Sequence, residues 1–255
     1  MTRVDRGERM KLNCDLGESF GNWQMGVDDA VMPYIDMANI ACGFHAGDAN
    51  VMHQTLQLAK RHGVEVGAHP GYLDLQGFGR RSIRHSRQEI INLILYQVSA
   101  LCGMAQALGL RISYVKPHGA LYNDMMANEE VRESVFAAMS LLNQTQEQPL
   151  ALVLLANGEA DKLLQQGTDL GIQLLFEAFA DRRYTDAGAL MPRTQAGALL
   201  TEAQMLAQVE QLVTTQSVTT ESGCALKIRA DTICVHGDNE AGVSQIKRIR
   251  ALCRP

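Results

Sequence analysis

Strand-like apolar runs and helix-like stretches alternate along almost the whole chain, and this alternation limits the fold more than any other feature. The runs fall at residues 10–14, 37–41, 64–68, 112–115, 150–155, 172–176 and 232–235. Helical signals stand between most of them. Asp48 is placed to cap a helix ending in Lys60, Arg61 and His62 before Gly63, the charge and glycine pattern of a helix C-terminus. Ser86 with Glu89, and Thr201 with Gln204, have capping-box spacing. A last helix is expected from Asn239 or Glu240 to about Cys253. Strands separated by helices pair in parallel through right-handed crossovers. About seven such units without a linker or repeat predict a barrel of the TIM type, incomplete or distorted, with a doubly wound open sheet as the alternative. Residues 1–9 are charged and aperiodic, so we expect a flexible extension ahead of one domain over 10–255.

The functional signal is positional. In parallel α/β folds ligands sit at the carboxyl ends of the strands. The first run ends near Asn13, Asp15 and Glu18, and the second near His45 and Asp48. The third ends at His69, the fourth at Lys116 and His118, the fifth at Asn157. The sixth leads to Asp181 and Arg182, and the seventh to His236 and Asp238. Four of the seven histidines thus fall on one predicted rim. His69 and Lys116 each precede a proline, which keeps their backbone extended. His53, His62 and His85 suit helix or surface positions. Tyr72 and Phe78 are candidate pocket walls, and Arg80 with Arg81 a candidate carboxylate or phosphate clamp, with a solvated loop as the bland alternative. Residues 181–200 form a long loop, more often functional than idle. Residues 143–148 and 215–223 read as polar surface loops.

Several classes are excluded. Lys+Arg number 23 against 28 Asp+Glu, a net charge of −5, so no basic stripe offers a nucleic-acid surface. The longest purely apolar run, 150–156, is far short of the ~20 residues of a membrane span. Residues 1–9 lack a signal-peptide core, and the six cysteines form no CxxC pair; a cytoplasmic protein with reduced thiols is expected. There is no phosphate loop, no G-x-S-x-G elbow and no HExxH pair. Carboxylate–histidine acid/base or metal-assisted hydrolysis fits better than a Ser or Cys nucleophile.

The strings NCDLGESFG, ANIACGFHAGD, GAHPGY, GFGRR, VKPHGALYN, FADRRYTDAGAL with MPR, and CVHGD together resemble the LamB/YcsF family, from about Met10 to Arg250. The resemblance implies a distorted (β/α)7 TIM-like barrel of the glycoside hydrolase/deacetylase type. It implies 5-oxoprolinase activity: ATP-dependent opening of the 5-oxoproline lactam to L-glutamate, as the A component beside two others, B and C. Chemistry then suggests roles. Asp15 with His45 and His69 would activate water, directly or through a divalent metal held by those three. His118 or His236 would act as general acid, with Asp238 orienting it. Asn13, Glu18, Arg80, Arg81, Lys116, Asp181 and Arg182 would bind substrate or its phosphoryl group. ATP, with Mg2+ as its counter-ion, is the expected cofactor. Without a phosphate loop, nucleotide binds in an unfamiliar way or with the help of a partner chain. A metal-dependent deacetylase or amidase, and a non-catalytic binding component, remain as alternatives.

Overall fold

The computed structural model describes residues 10–236 and 240–254. The expected 1–9 extension and Asp238 lie outside the described residues. Seven parallel strands close into a barrel. In chain order the elements are β1 (Lys11–Leu16), α1 (Asp28–Val31), β2 (Met37–Ala41), α2 (Ala49–His62), β3 (Glu65–His69), α3 (Arg87–Ala107), β4 (Ile112–Val115), α4 (Gly119–Ala127), α5 (Glu129–Asn143), β5 (Ala151–Leu155), α6 (Ala160–Asp169), β6 (Leu174–Phe179), α7 (Glu202–Thr215), β7 (Ser217–Thr219), β8 (Ala225–Lys227), β9 (Thr232–His236) and α8 (Glu240–Cys253). The barrel order is β1-β2-β3-β4-β5-β6-β9. The open-sheet alternative does not form, because β9 pairs with β1, setting Asn13 beside Cys234 and Asp15 beside His236.

The caps work as spaced. Asp48 Oδ1 accepts from the amides of Asn50 and Val51 at 2.8 and 3.0 Å, and Ser86–Glu89 and Thr201–Gln204 both close capping boxes. Two strands outrun their apolar stretches. β1 continues through Asp15 to Leu16, and β6 through Glu177 to Phe179. Both acids point into the barrel, where the alternation of a strand places every second side chain. Residues 215–223, expected as a polar loop, instead carry β7, paired antiparallel with β8. Val218 and Thr220 there are buried, and Thr220 bridges to Tyr184. The 21-residue α3 has the length and apolar content of a bilayer span, although no long uninterrupted apolar run marks it. Its buried side packs on α5, β3 and β4, as a barrel helix does.

The barrel interior is stratified. Its lower layer is a separate apolar cluster of Met37, Tyr114, Ala151 and Val153, with Leu175 against it. Tyr114 reaches across the lumen only because β3 carries Gly67 opposite. A Cβ at Gly67 would stand 2.1 Å from the Tyr114 ring. Above this layer polar side chains take over, and they form the floor of the site.

Candidate active site

Asn13, Asn39, Tyr114, Lys116 and Glu177 make a buried network under the cavity. Asn39 donates to Asn13 Oδ1 and Asp15 Oδ1 at 2.8 and 2.7 Å, and the Tyr114 hydroxyl donates to Asn39 Oδ1 at 2.7 Å. Asn13 donates to Thr232 Oγ1 at 3.0 Å. Lys116, 2% exposed, places its ammonium 2.9 Å from Asp15 Oδ1, 3.0 Å from Glu177 Oε2 and 3.1 Å from Cys234 Sγ. Burial alone would lower the Lys116 pKa, but Asp15 foremost outweighs it and holds the group well above the ordinary lysine value. Burial likewise opposes charge on Asp15, yet His69 and Lys116 hold its carboxyl well below the usual range. The ammonium expected to grip substrate is therefore committed to two carboxylates. Asn13, also expected at substrate, is part of this floor.

Above the floor a cavity of about 320 Å3 opens at the strand carboxyl ends. Asp15, Glu18, His69, Arg80, Lys116, His118, Arg182 and His236 line it, so most of the predicted rim converges. Others do not reach it. The exposed Arg81 guanidinium pairs with Asp74 across the loop, because the turn after Gly77 directs only Arg80 inward. Asp181 sits behind His236, its carboxylate 2.9 Å from His236 Nδ1; it orients that ring rather than touching a ligand. His236 thereby keeps its other nitrogen for the cavity and takes its orientation from Asp181. Asp48 and Asn157 serve as local caps, Asn157 accepting from the Glu159 amide at 2.9 Å. Tyr72 is buried and donates to Asp124 at 3.0 Å, whereas Phe78 does form cavity wall.

His45, His69 and His118 pack together. The His45 and His118 rings stack at 3.6 Å with planes 4° apart, and His69 meets both edge-on. Burial, with neighbouring imidazoles adding to it, holds His45 and His118 well below the ordinary histidine value. Glu18 joins them, and donor atoms of Glu18, His45, His69 and His118 lie within 4.8 Å of one another. His45 and His118 do not both suit one ion, because parallel stacked rings direct their in-plane lone pairs side by side, not at one point. His69 Nε2 and His118 Nδ1, 3.0 Å apart, are closer than the roughly 3.4 Å between two nitrogens on a tetrahedral zinc at 2.0–2.1 Å, but match neighbouring ligands at right angles on an octahedral ion at about 2.1 Å. In the Asp15–His45–His69 set Asp15 Oδ1 already serves Lys116 and Asn39, which leaves Oδ2. In the group of Asp15, Cys234 and His236, burial pushes the Cys234 thiol well up.

The opposite lip is cationic. Arg182 and Arg193 face Arg80 there, with Thr194 and Pro192 beside them. Among the described residues Arg182 Nε is buried without a hydrogen-bond partner. Burial foremost, then the like charge of Arg193, pulls the Arg182 pKa down to about 10. Sequence reasoning missed Asn39, Tyr114, Glu177, Cys234 and Arg193. Glu177 had a legible signal, a lone charge within the apolar run LLFEAF. Arg193 lies on the 181–200 loop, whose Leu190, Pro192, Arg193 and Thr194 supply one cavity wall.

The LamB/YcsF family profile matches residues 10–254. The chain belongs to the LamB/YcsF family. It is 52% identical over 244 residues to a Vibrio campbellii protein named as the A subunit of 5-oxoprolinase, covering 95% of each chain. It is 49% identical to a Pseudomonas putida protein named as a second A subunit of 5-oxoprolinase, covering 95% of this chain and 93% of that one. The crystal structure of a lactam utilization protein from Thermus thermophilus superposes with a TM-score of 0.84 at 35% identity, covering 95% of both chains.

Proposed function

We propose that this chain is the A subunit of a 5-oxoprolinase, and that its cavity performs the hydrolytic opening of the 5-oxoproline lactam. The single observation that carries this reading is the placement of two histidine systems on opposite walls. The Asp181–His236 pair stands on the β6/β9 side and the His69–His118 pair on β3/β4. The family membership and the names of its relatives support it. His236, oriented through Nδ1 by buried Asp181, takes a proton from water, as an aspartate-paired histidine does in general base catalysis. The oxygen adds to the lactam carbonyl, the ring C–N bond breaks, and the departing nitrogen takes its proton from the opposite wall. Arg80, Arg182 and Arg193 would hold the substrate carboxylate and the phosphoryl group that ATP, with Mg2+ as counter-ion, would supply to the carbonyl oxygen; ring opening would then leave an acyl phosphate, which a second water hydrolyses to glutamate and inorganic phosphate. Charge-assisted bonds of this kind contribute about 1.5–3 kcal/mol each. Asp15, fixed by Lys116 and Asn39, supplies charge beside His69 rather than acting as the base. Two further subunits and a cytoplasmic supply of ATP complete the system.

The test is 5-oxoproline-dependent ATP hydrolysis by the chain alone and with its B and C companions. Glutamate should appear with all three present and be lost with Asp181→Asn. No 5-oxoproline-dependent turnover in any combination would overturn the assignment.

A further inference from the structure

The outer wall of the barrel carries a second cavity, of about 370 Å3, between α5 and α6. Small-molecule pockets run from about 300 to 1,000 Å3, so the size suits a small ligand. It shares no lining residue with the catalytic cavity. Helix spacing builds one wall. Arg132 and Phe136, and Glu133 and Ala137, are each four residues apart and so share one face of α5. Gln166 and Leu170 form the facing wall at the end of α6. That helix leans on β6, because Gly167 lets the chain close in on itself. A Cβ at Gly167 would lie 2.7 Å from Leu174 Cγ and 2.9 Å from the Ile172 carbonyl oxygen.

Two polar groups in this cavity are underused. Gln166 Oε1 is buried and, among the described residues, has no hydrogen-bond partner. A buried amide oxygen in that state calls for an N–H or O–H donor. Arg132 is 7% exposed. Its Nη1 donates to the Met125 carbonyl oxygen at 3.4 Å, and its Nη2 lies 3.9 Å from Glu129 Oε1. Both contacts are long beside the about 2.7–2.9 Å of a charge-assisted bond, which leaves the planar fork donors for a carboxylate. The other charges of the cavity are already engaged. Arg87 Nη1 faces Glu133 Oε2 at 4.0 Å, and Asp169 accepts from Gln165 Nε2 at 2.8 Å. Between the polar groups lies apolar surface, from buried Phe136, half-buried Ala137 and half-exposed Leu170.

We propose that the groove between α5 and α6 is a second ligand site, for a small carboxylate that carries an N–H donor beside the acid: an α-amino acid or its lactam. The carboxylate sits on Arg132, the N–H donates to Gln166 Oε1, and the carbon skeleton covers Phe136, Ala137 and Leu170. A carboxylate without nitrogen would leave Gln166 Oε1 with no donor. An amine without a carboxylate would bring like charge to the Arg132 guanidinium. A molecule with both groups on one carbon satisfies both walls at once. The site needs no turnover and stands apart from the hydrolytic reading above.

Isothermal titration of the full chain tests this, with L-leucine, L-glutamate and 5-oxoproline as probes. Each is paired with its nitrogen-free analogue: 4-methylpentanoate, glutarate and cyclopentanecarboxylate. The titrations use an Arg182→Ala background, which removes a cation from the lip of the catalytic cavity. At least one probe should bind one-to-one with a Kd of about 1 mM or tighter, and more tightly than its analogue. The probe that binds tells an apolar amino acid, an acidic one and a lactam apart. Gln166→Leu should weaken that probe about 3–10-fold, and Arg132→Met about 10–100-fold. Gln166→Leu removes an oxygen that bonds to nothing in the described fold, so it decides the matter even if Arg132→Met fails to fold. No saturable binding of any probe, equal affinity for a probe and its analogue, or affinity unchanged by Gln166→Leu would overturn the proposal.

Discussion

Replacing Lys116 by Met tests the floor of the site most directly. The ammonium is buried against Asp15 at 2.9 Å and Glu177 at 3.0 Å, and Met nearly preserves the stem volume. What disappears is the positive charge between two buried carboxylates. Removing one partner of a buried pair costs about 3–5 kcal/mol, because the other charge is left uncompensated. For a domain of this size 1 kcal/mol corresponds to about 2–4 °C, so the melting temperature should fall by about 6–20 °C. The pH dependence carries the sign. In the native protein the Asp15 pKa is depressed. Its contribution is therefore present above the ordinary value of 3.8 and is lost only as pH falls through the lower folded value. Without Lys116 one of the two groups that lower the Asp15 pKa is gone, so that pKa rises, and protonation on acidification relieves part of the cost. The deficit should be largest at pH 7 and shrink as pH falls towards the carboxylate range. Urea unfolding across that range measures it, and adding Glu177→Gln to the variant should recover part of the loss. A deficit below about 1 kcal/mol that stays flat with pH, as an exposed ion pair would give, would refute the argument.

Asp181→Asn leaves the shape of the His236 support but removes its charge; kcat in the complex should fall about 10²–10⁴-fold with unchanged melting, and near-normal turnover would remove His236 as the base. Gly67→Ala drives a methyl into the Tyr114 ring, 2.1 Å away in the present packing, and should destabilise by about 1–3 kcal/mol or more in denaturant titrations; Tyr114→Phe combined with it should not help, since the ring itself is the obstacle. Arg182→Ala should raise the KM for 5-oxoproline about 10–100-fold with kcat changed less, read from initial rates of the complex; an unchanged KM would place the anion elsewhere.

The barrel, its caps and most of the rim are legible because their signals are local. Alternating periodicity, Asp48, Ser86 and Thr201 as caps, and polar residues at strand ends depend only on near neighbours in sequence. The apolar pattern stops short of the true strand limits at Asp15 and Glu177 for one reason. A charge in a strand usually means solvent, and here it means the interior of a barrel whose partner charge, Lys116, sits on another strand. Arg80 and Arg81 are indistinguishable in sequence. One faces the cavity and the other pairs with Asp74, because a turn of the chain separates their directions.

The repeating β–α units, the helix ends and the rim on which chemistry collects follow from propensity, periodicity and the strand-end rule, all of them readable along the chain. Which side chains are spent on one another depends on how the strands and loops meet in space. Lys116 became the counter-charge of Asp15 and Glu177, Asp181 the support of His236, and Phe78 the acceptor that sets the His118 tautomer. Each of these pairings joins residues from different strands or loops, where a distance of about 3 Å outweighs any distance along the chain. That is the physical reason such roles are invisible until the barrel closes.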